Sequence, residues 1–271
     1  MDTQKSKVAK IGFGIVTYNR PDYLRQSWLG VEKFVLPRVD ECVVYNDGST
    51  VDYSKVYKRI KRASKTMVLH NPENGGVAKA KNAVINELLM RGCDYIFVME
   101  DDIVPAHKML IPAYLAANRM TGIDHLMFAH HGDGNTDGAV DVQGPIVWWP
   151  ACVGAFTFYT RDVLESSGLL DENFHNAWEH VEHSWRILKS HGVSYGIWPD
   201  VLGSEQLLKE IPGSIENSSI GKQDNPERIR TIIKGLEYWK TLDDFPAQHT
   251  LDYYNNLLQE IEDDQHTTTK P

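Results

Sequence analysis

The sequence contains few cysteines and no long hydrophobic segment. Only three cysteines occur in 271 residues, and Cys42, Cys93 and Cys152 lie far apart in apolar surroundings. An odd number of separated cysteines lacks the spacing of a metal site and is typical of buried thiols in a reducing compartment. No apolar run approaches the roughly 20 residues of a membrane-spanning helix, and residues 1–10 lack the hydrophobic centre of a secretory signal. We therefore expect a soluble, cytoplasmic protein without an integral membrane segment.

A net positive charge is also missing. The formal net charge is −9 at pH 7, which disfavours indiscriminate binding to nucleic acid, because that affinity depends largely on Lys and Arg. One basic cluster, at residues 55–62, is interpreted as the solvated face of a helix. The overall charge does not exclude a local basic groove.

Short β-branched segments alternate with helical patterns over the first hundred residues. We predict strands at Ile11–Thr17, Cys42–Tyr45 and Thr66–Leu69, and a fourth that ends at Met99. Helical patterns follow Pro21 and span Val77–Leu89. Such alternation predicts an α/β fold in which parallel strands are joined by right-handed crossovers.

The second half of the chain is less regular. We predict further strands at Asp124–Ala129, Val153–Thr160 and Val193–Trp198, and a helix at Ala177–Ser190. The stretch Leu202–Gly221 has no clear periodicity, so it is either a mobile lid or a packed irregular crossing. Two amphipathic helices follow, the first beginning near Asn225 and the second near Thr250. We expect one domain over residues 1–221 and a helical extension over residues 222–271.

Three consecutive acids, Glu100, Asp101 and Asp102, directly follow a hydrophobic strand. Burying carboxylates is costly unless they are paired or bind a cation, and open α/β sheets bind ligands at the carboxyl ends of their strands. The acids therefore suggest a metal site, with a solvated acidic loop as the alternative. Carboxylate oxygens suit Mg²⁺ or Mn²⁺.

Other polar and glycine residues end neighbouring strands. Thr17 and Tyr18 end the first strand, where they could hydrogen-bond to and stack on a nucleobase. Gly75 and Gly76 allow the backbone to approach a ligand closely, and the helix after them offers its positive end to a phosphate. These features lie at the same sheet edge as the acids, where they could contribute to a ligand site.

Several motifs occur in a specific order. They are Ile15-Val-Thr-Tyr-Asn-Arg-Pro21, Val43-Val-Tyr-Asn-Asp-Gly-Ser-Thr50, Asn74-Gly-Gly-Val-Ala-Lys-Ala-Lys-Asn82, Glu100-Asp-Asp102, Gly168-Leu-Leu-Asp-Glu-Asn-Phe174 and Trp178-Glu-His-Val-Glu-His-Ser-Trp-Arg186. Together they resemble the GT-A fold glycosyltransferases of family 2, over about residues 8–200. The resemblance implies a Rossmann-like, mixed and mainly parallel sheet flanked by helices, and a nucleotide-sugar donor, most plausibly a UDP-sugar.

The resemblance also implies residue roles on the donor side. The residues assigned to donor binding are Thr17, Tyr18, Arg20, Asp47, Gly75, Gly76, Lys81, Glu100 and Asp101. Asp47 would accept a hydrogen bond from the uracil imide, and Lys81 would face the donor. The alternatives are that Asp47 caps a turn and that Lys81 is a solvent-facing helical lysine.

The resemblance implies that Asp102 is the chief ligand of Mn²⁺ or Mg²⁺, with His183 as a further candidate. Glu100 replaces the family's first aspartate, which leaves the identity and necessity of the metal open. His180 and His183 share a helix face and could instead belong to a zinc site, although the sequence shows no third ligand.

The general base is expected in Glu179-His-Val-Glu-His183, which resembles the family's Glu-Asp motif. Glu179 is preferred over His180, and a shifted alignment would favour Glu182 instead. A structural role around the floor of the acceptor pocket is the alternative. Trp148, Trp149 and Trp178 could contribute an aromatic floor for a sugar, or belong to the core.

The predicted function is metal-dependent sugar transfer to an acceptor hydroxyl with inversion, although retention stays open. A nucleotidyltransferase is disfavoured because its glycine-rich loop after the first strand is missing, and a non-catalytic nucleotide-sugar-binding module is the third hypothesis. The acceptor could be a saccharide, a small molecule or a hydroxyl-bearing polymer. Modified DNA is among these acceptors but is not indicated by the charge. A homodimer is also left open.

Overall fold

Hydrophobic, β-branched segments form the centre of the sheet in the computed structural model, which describes residues 8–174, 176–218, 225–242 and 244–268. The strands among these residues are β1 Ile11–Thr17, β2 Glu41–Asn46, β3 Thr66–His70, β4 Tyr95–Glu100, β5 Ile103–Pro105, β6 His125–Met127, β7 Asp141–Gln143, β8 Ile146–Trp149, β9 Phe156–Thr160, β10 Trp198–Val201 and β11 Leu208–Glu210. The α-helices are α1 Pro21–Gly30, α2 Ser54–Ile60, α3 Val77–Met90, α4 Leu110–Thr121, α5 Arg161–Ser167, α6 Glu179–Ser190, α7 Asn225–Lys240 and α8 Gln248–Thr268.

The large sheet has the strand order β3-β2-β1-β4-β9-β6-β10-β8-β7 within the described residues. Strands β3, β2, β1 and β4 are parallel, as the alternating sequence predicted. Strand β9 pairs antiparallel with both β4 and β6. The α/β class is therefore confirmed, with a parallel nucleotide-binding half and a mixed second half.

Successive residues of β4 point to opposite faces of the sheet and enter two hydrophobic layers. Phe97 and Met99 belong to the layer that contains Trp28, whereas Ile96 and Val98 face α3 and α5. All four β4 side chains are essentially buried, which explains the continuous hydrophobic run of a strand covered on both faces.

Close packing of α3 on β1 positions the site. A Cβ at Gly12 would lie 2.8 Å from Cδ2 of Leu88, and one at Gly14 would collide with Val84. Glycine at both positions therefore lets α3 lie directly on the strand. This contact brings the amino end of α3, with Gly76, to the carboxyl end of β1.

Two predicted segments differ in the structure. The strand predicted at Val193–Trp198 begins only at Trp198, because Gly192 and Gly196 adopt positive φ and make turns before it. The stretch predicted to be irregular contains β11, which pairs antiparallel with β5, and Ile211 N donates to the carbonyl oxygen of Asp102 at 2.8 Å. Up to residue 218 this stretch is a packed crossing, and its last residues lie outside the described part of the chain.

Helices α7 and α8 pack on the same hydrophobic layer as the sheet. Ile233, Leu236 and Leu251 are buried there together with Phe156. The boundary expected at residues 221 and 222 lies outside the described residues, so the division into two domains stays a prediction. No described helix is long and apolar enough to cross a membrane.

Candidate active site

The ends of three parallel strands bring the predicted donor residues together. Thr17 ends β1, Asp47 follows β2 and Glu100 ends β4. They share a cleft of about 100 Å³ that also has Tyr18 and Arg20 in its wall. A larger cavity of about 610 Å³ adjoins it, and Glu100, Val77 and Asn176 line both spaces.

Asp47 joins the β2 end to the loop before α3. Its carboxylate accepts hydrogen bonds from the backbone N–H groups of Gly75, at 3.0 Å, and Gly76, at 2.9 Å. The turn after β2 is capped by Asn46, whose Oδ1 accepts from Ser49 N at 2.9 Å. Asp47 is therefore not merely a turn cap. The two glycine amides bind Asp47, so in this structure they are not free for the phosphate that the sequence predicted there.

Glu100 forms an ion pair with Lys81, whose Nζ lies 2.7 Å from Oε1. Lys81 also donates to the carbonyl oxygen of Gly154 at 2.8 Å and is only 2% exposed. The alternative of a solvent-facing lysine is wrong. Lys81 is a buried cation that contacts Glu100, which lines both spaces, and Gly154, which lines the larger cavity.

Asp101 is the innermost of the three acids. It is fully buried, accepts a hydrogen bond from Thr17 Oγ1 at 2.6 Å and lies 2.5 Å from Nη2 of Arg20. Burial raises the pKa of the Asp101 carboxyl, and the Arg20 guanidinium opposes that shift. Its contacts fit a residue that anchors the site.

Asp102 faces the guanidinium of Arg20 and the imidazole of His131. Its Oδ2 lies 3.1 Å from Nη1 of Arg20 and 3.6 Å from Nε2 of His131. Burial alone would raise the pKa of Asp102, but His131 and Arg20 hold it below its usual value. Oδ1 is buried and has no hydrogen-bond partner among the described residues. Asp102 thus keeps one oxygen without a partner among the described residues, although it is not among the residues that line the cleft or the larger cavity.

Sequence reasoning missed the second role of Arg20 and the position of His131. Arg20 was assigned to the donor only through its motif, whereas the structure makes it the shared counter-ion of Asp101 and Asp102. Burial lowers the pKa of His131, but the carboxylate of Asp102 outweighs this effect and raises it overall. No spacing in the sequence links residues 20, 102 and 131.

Glu179 begins α6, and both it and His180 line the larger cavity. Nδ1 of His180 lies 3.2 Å from Oε1 of Glu179, while Oε2 of Glu179 is buried without a partner among the described residues. Burial alone would raise the pKa of Glu179, but His180 and Lys81 hold it below its usual value. Glu179 is thus an ionised carboxylate with one unused oxygen.

Glu182 and His183 of α6 contact other parts of the protein instead of the cavity. Glu182 forms two hydrogen bonds with Arg186, at 2.7 and 3.0 Å, and is not among the residues that line the larger cavity. His183 is fully buried, and its Nε2 lies 2.9 Å from the carbonyl oxygen of Gly168. The described geometry gives no support to Glu182 as the base or to His183 as a metal ligand, because both are engaged elsewhere.

The expected aromatic floor is only partly present. Trp178 lines the larger cavity, as do Tyr195 and Trp198. Trp148 and Trp149 are 7% and 9% exposed and belong to the core instead. Tyr195 and Trp198 could not be assigned to the cavity from the sequence. Their position depends on the turn that precedes β10, which the sequence did not predict.

Comparison with known proteins identifies the family. The family model described as glycosyl transferase family 2 matches residues 13–163, which is more than half of the chain. The chain belongs to this family. The predicted resemblance is therefore confirmed, and the matched region contains the acid triplet and all residues that line the donor cleft except Asn176 and Ser218.

Relatives of known sequence and structure agree with that assignment. An uncharacterized glycosyltransferase of Acanthamoeba polyphaga mimivirus is 26% identical over 126 residues, which are 44% of this chain and 48% of that protein. The match thus spans about half the length of this relative.

Two solved structures share the fold. A Pyrobaculum calidifontis mannosyltransferase in complex with GDP-Man and Mn²⁺ has a TM-score of 0.60 and 11% identity, covering 92% of this chain and 69% of that one. S. aureus TarS 1–349 in complex with UDP has a TM-score of 0.56 and 13% identity, with coverages of 88% and 74%. At such low identity they establish the GT-A fold, as predicted, and nothing further.

Proposed function

We propose that this protein is a glycosyltransferase that moves a sugar from a nucleotide-sugar donor to an acceptor hydroxyl with inversion. One observation carries the proposal. Glu100, at the donor cleft, lines the same cavity as Glu179, whose Oε2 has no partner among the described residues. A sugar held at the cleft would therefore face an acceptor hydroxyl placed beside a base.

The donor would bind at the carboxyl ends of β1, β2 and β4. Tyr18, Arg20 and Asp47 line the cleft there. The Asp47 carboxylate, which already accepts from the Gly75 and Gly76 amides, would accept a further hydrogen bond from a uracil imide. A UDP-sugar is therefore the proposed donor. The related folds were solved with UDP in one case and GDP-Man in the other, so the fold alone does not choose the base.

The residues present fit a divalent cation. Asp102 offers a buried carboxylate oxygen without a partner among the described residues. No group of three His, Cys, Asp or Glu side chains in the described part of the chain could hold a metal alone. In Mg²⁺-type sites one or two carboxylates bind together with substrate phosphates and water. Bound by Asp102, with Glu100 nearby, Mn²⁺ or Mg²⁺ would neutralise the charge on the departing diphosphate.

The chain's own residues would perform the proton transfer. Glu179 is ionised because His180 and Lys81 lower its pKa, so its free Oε2 can accept the proton of the acceptor hydroxyl. The oxygen's electron pair then forms the new bond to the anomeric carbon, and the bond from that carbon to the diphosphate oxygen breaks. A general base of this kind contributes roughly 10²–10⁴-fold in rate. Attack opposite to the leaving group inverts the anomeric centre.

The proposal is tested by thermal unfolding with UDP, GDP and their sugars, each with and without Mn²⁺. A ligand at a hundredfold over its Kd adds roughly 2.7 kcal/mol of stability. We expect stabilisation by uridine nucleotides that requires Mn²⁺ and is lost in Asp102→Asn. Asp162→Asn, an exposed aspartate on α5, is the matched control and should respond like the wild type.

Two results would contradict this function. If no nucleotide stabilises the folded protein, the donor site is wrong. If nucleotides bind but no donor transfers its sugar to water or to an acceptor, no nucleoside diphosphate is released. A non-catalytic binding module is then the better account.

A further inference from the structure

The larger cavity is completed by the two carboxyl-terminal helices. Helix α7 contributes Arg228 and Ile232, and α8 contributes Thr250 and Tyr254. Glu179 lines the same cavity. The volume of about 610 Å³ is that of a small-molecule site, since such sites measure roughly 300–1,000 Å³.

Arg228 places a cation in this cavity. Its Nη1 donates to the main-chain carbonyl oxygen of Asn176 at 3.0 Å, and burial lowers its pKa even though Glu179 and Tyr254 oppose that shift. Among the described residues, no carboxylate lies within ion-pair distance of Arg228. Leaving a partly buried charge without a counter-ion is costly.

The other residues that line the cavity favour a small saccharide ligand over a nucleic-acid polymer. Aromatic side chains of Trp178, Tyr195 and Trp198 border the cavity, and aromatic rings pack on the apolar faces of sugars. Arg228 is the single Lys or Arg among the described residues that line it. Nucleic-acid binding depends on several such cations that neutralise phosphates, whereas one guanidinium is enough for one oxyanion.

We propose that Arg228 binds an anionic group, a carboxylate or a phosphate, on a saccharide acceptor. This inference rests on the proposed function, because it places the acceptor beside Glu179. A guanidinium presents paired N–H donors that match the two oxygens of such a group. The anion would supply an ion-pair partner that Arg228 does not have among the described residues, where Glu179 acts on it only from beyond ion-pair distance. The acceptor would be held by its charge while its hydroxyl faces the base.

The test compares matched sugars in protein saturated with UDP and Mn²⁺. Glucuronate and glucose 6-phosphate carry the anion, and glucose is their neutral counterpart. Binding is followed by tryptophan fluorescence, because Trp178 and Trp198 line the cavity. We expect at least one charged sugar to bind tenfold or more tightly than glucose, equivalent to about 1.4 kcal/mol. The stronger of the two identifies carboxylate or phosphate as the group.

The variants separate charge from folding. Arg228→Gln should remove most of the preference for the charged sugar, and Arg228→Lys should keep part of it. Arg230→Gln, on the same helix, is the matched control, because Arg230 is exposed and pairs with Glu262. It should leave the preference unchanged. Thermal unfolding without sugars establishes that each variant is folded.

Several outcomes would overturn the inference. Equal binding of charged and neutral sugars, no binding of either charged sugar, or an unchanged preference in Arg228→Gln would each do so. Binding of a short single-stranded DNA but of no sugar would point to a polymer acceptor instead. UDP binding measured in the same variants separates this failure from failure of the proposed function, because Arg228 is not among the residues that line the donor cleft.

Discussion

The indole Nε1 of Trp178 donates a hydrogen bond to the main-chain carbonyl oxygen of Ile232, at a distance of 3.1 Å. Trp178 directly precedes Glu179 and has a positive φ of 72°, an uncommon backbone conformation for a bulky residue. Such strain persists only where surrounding contacts hold it. Helix α7 therefore holds Trp178 in place, directly before Glu179, the proposed base and the first residue of α6.

Gly235→Ala should break this docking. A Cβ at Gly235 would lie 2.8 Å from Cδ1 of Trp178 and 3.0 Å from the carbonyl oxygen of Ala177. Overpacking costs typically about 1–3 kcal/mol, and helix propensity returns up to about 1 kcal/mol of it. We expect a net loss of about 1 kcal/mol in denaturant unfolding and a lower rate of sugar transfer. Lys234→Ala, at an exposed neighbouring position, should change neither. Wild-type stability and rate in the Gly235→Ala variant would show that α7 does not hold Trp178.

Glu179→Gln and Glu182→Gln make a matched pair on one helix. Glu179→Gln removes the proposed base, so we expect transfer to fall by roughly 10²-fold or more with unchanged nucleotide affinity. Glu182→Gln weakens the pair with Arg186, so it should lower stability by about 1–3 kcal/mol while the folded enzyme keeps its rate. Steady-state kinetics and denaturant unfolding of both variants measure these effects. The reverse pattern, with Glu182 essential and Glu179 dispensable, would exclude the proposed base.

The sequence was sufficient to predict the sheet edge of the donor cleft. Asp47 and Glu100 each follow a hydrophobic strand, and parallel neighbours end at the same edge, so their proximity follows from local pattern alone. The glycine pair before α3 was equally readable. The partners of these residues could not be predicted, because the contact of Asp47 with the Gly75 and Gly76 amides is formed between segments that are distant in the sequence.

The sequence could not predict which acidic or histidine side chain of α6 lines the cavity. Glu179, Glu182 and His183 are all buried, and their spacings of three and four place them on overlapping faces. Which one meets the cavity depends on Arg186 and the Gly168 carbonyl, which occupy Glu182 and His183. The position of Arg228 could not be predicted from the sequence either. Arg228 lies at the cavity because its helix, α7, docks on Trp178, which is distant in the sequence.

The buried His183 should make the protein sensitive to acid. Burial lowers the pKa of His183 to about 3, and its Nδ1 has no partner among the described residues, so protonation there is unfavourable in the folded state. The unfolded chain binds this proton near a pH of about 6.5, and stability is therefore lost as pH falls from about 6.5 towards 3. At a pH of about 5.5 the loss from this residue should be about 1 kcal/mol relative to neutral pH. Urea unfolding at both pH values should show that His183→Gln loses less stability than the wild type by this amount. His249→Gln, at an exposed position of α8, should follow the wild type. If His183→Gln loses as much stability as the wild type on acidification, His183 is not held neutral in the folded protein.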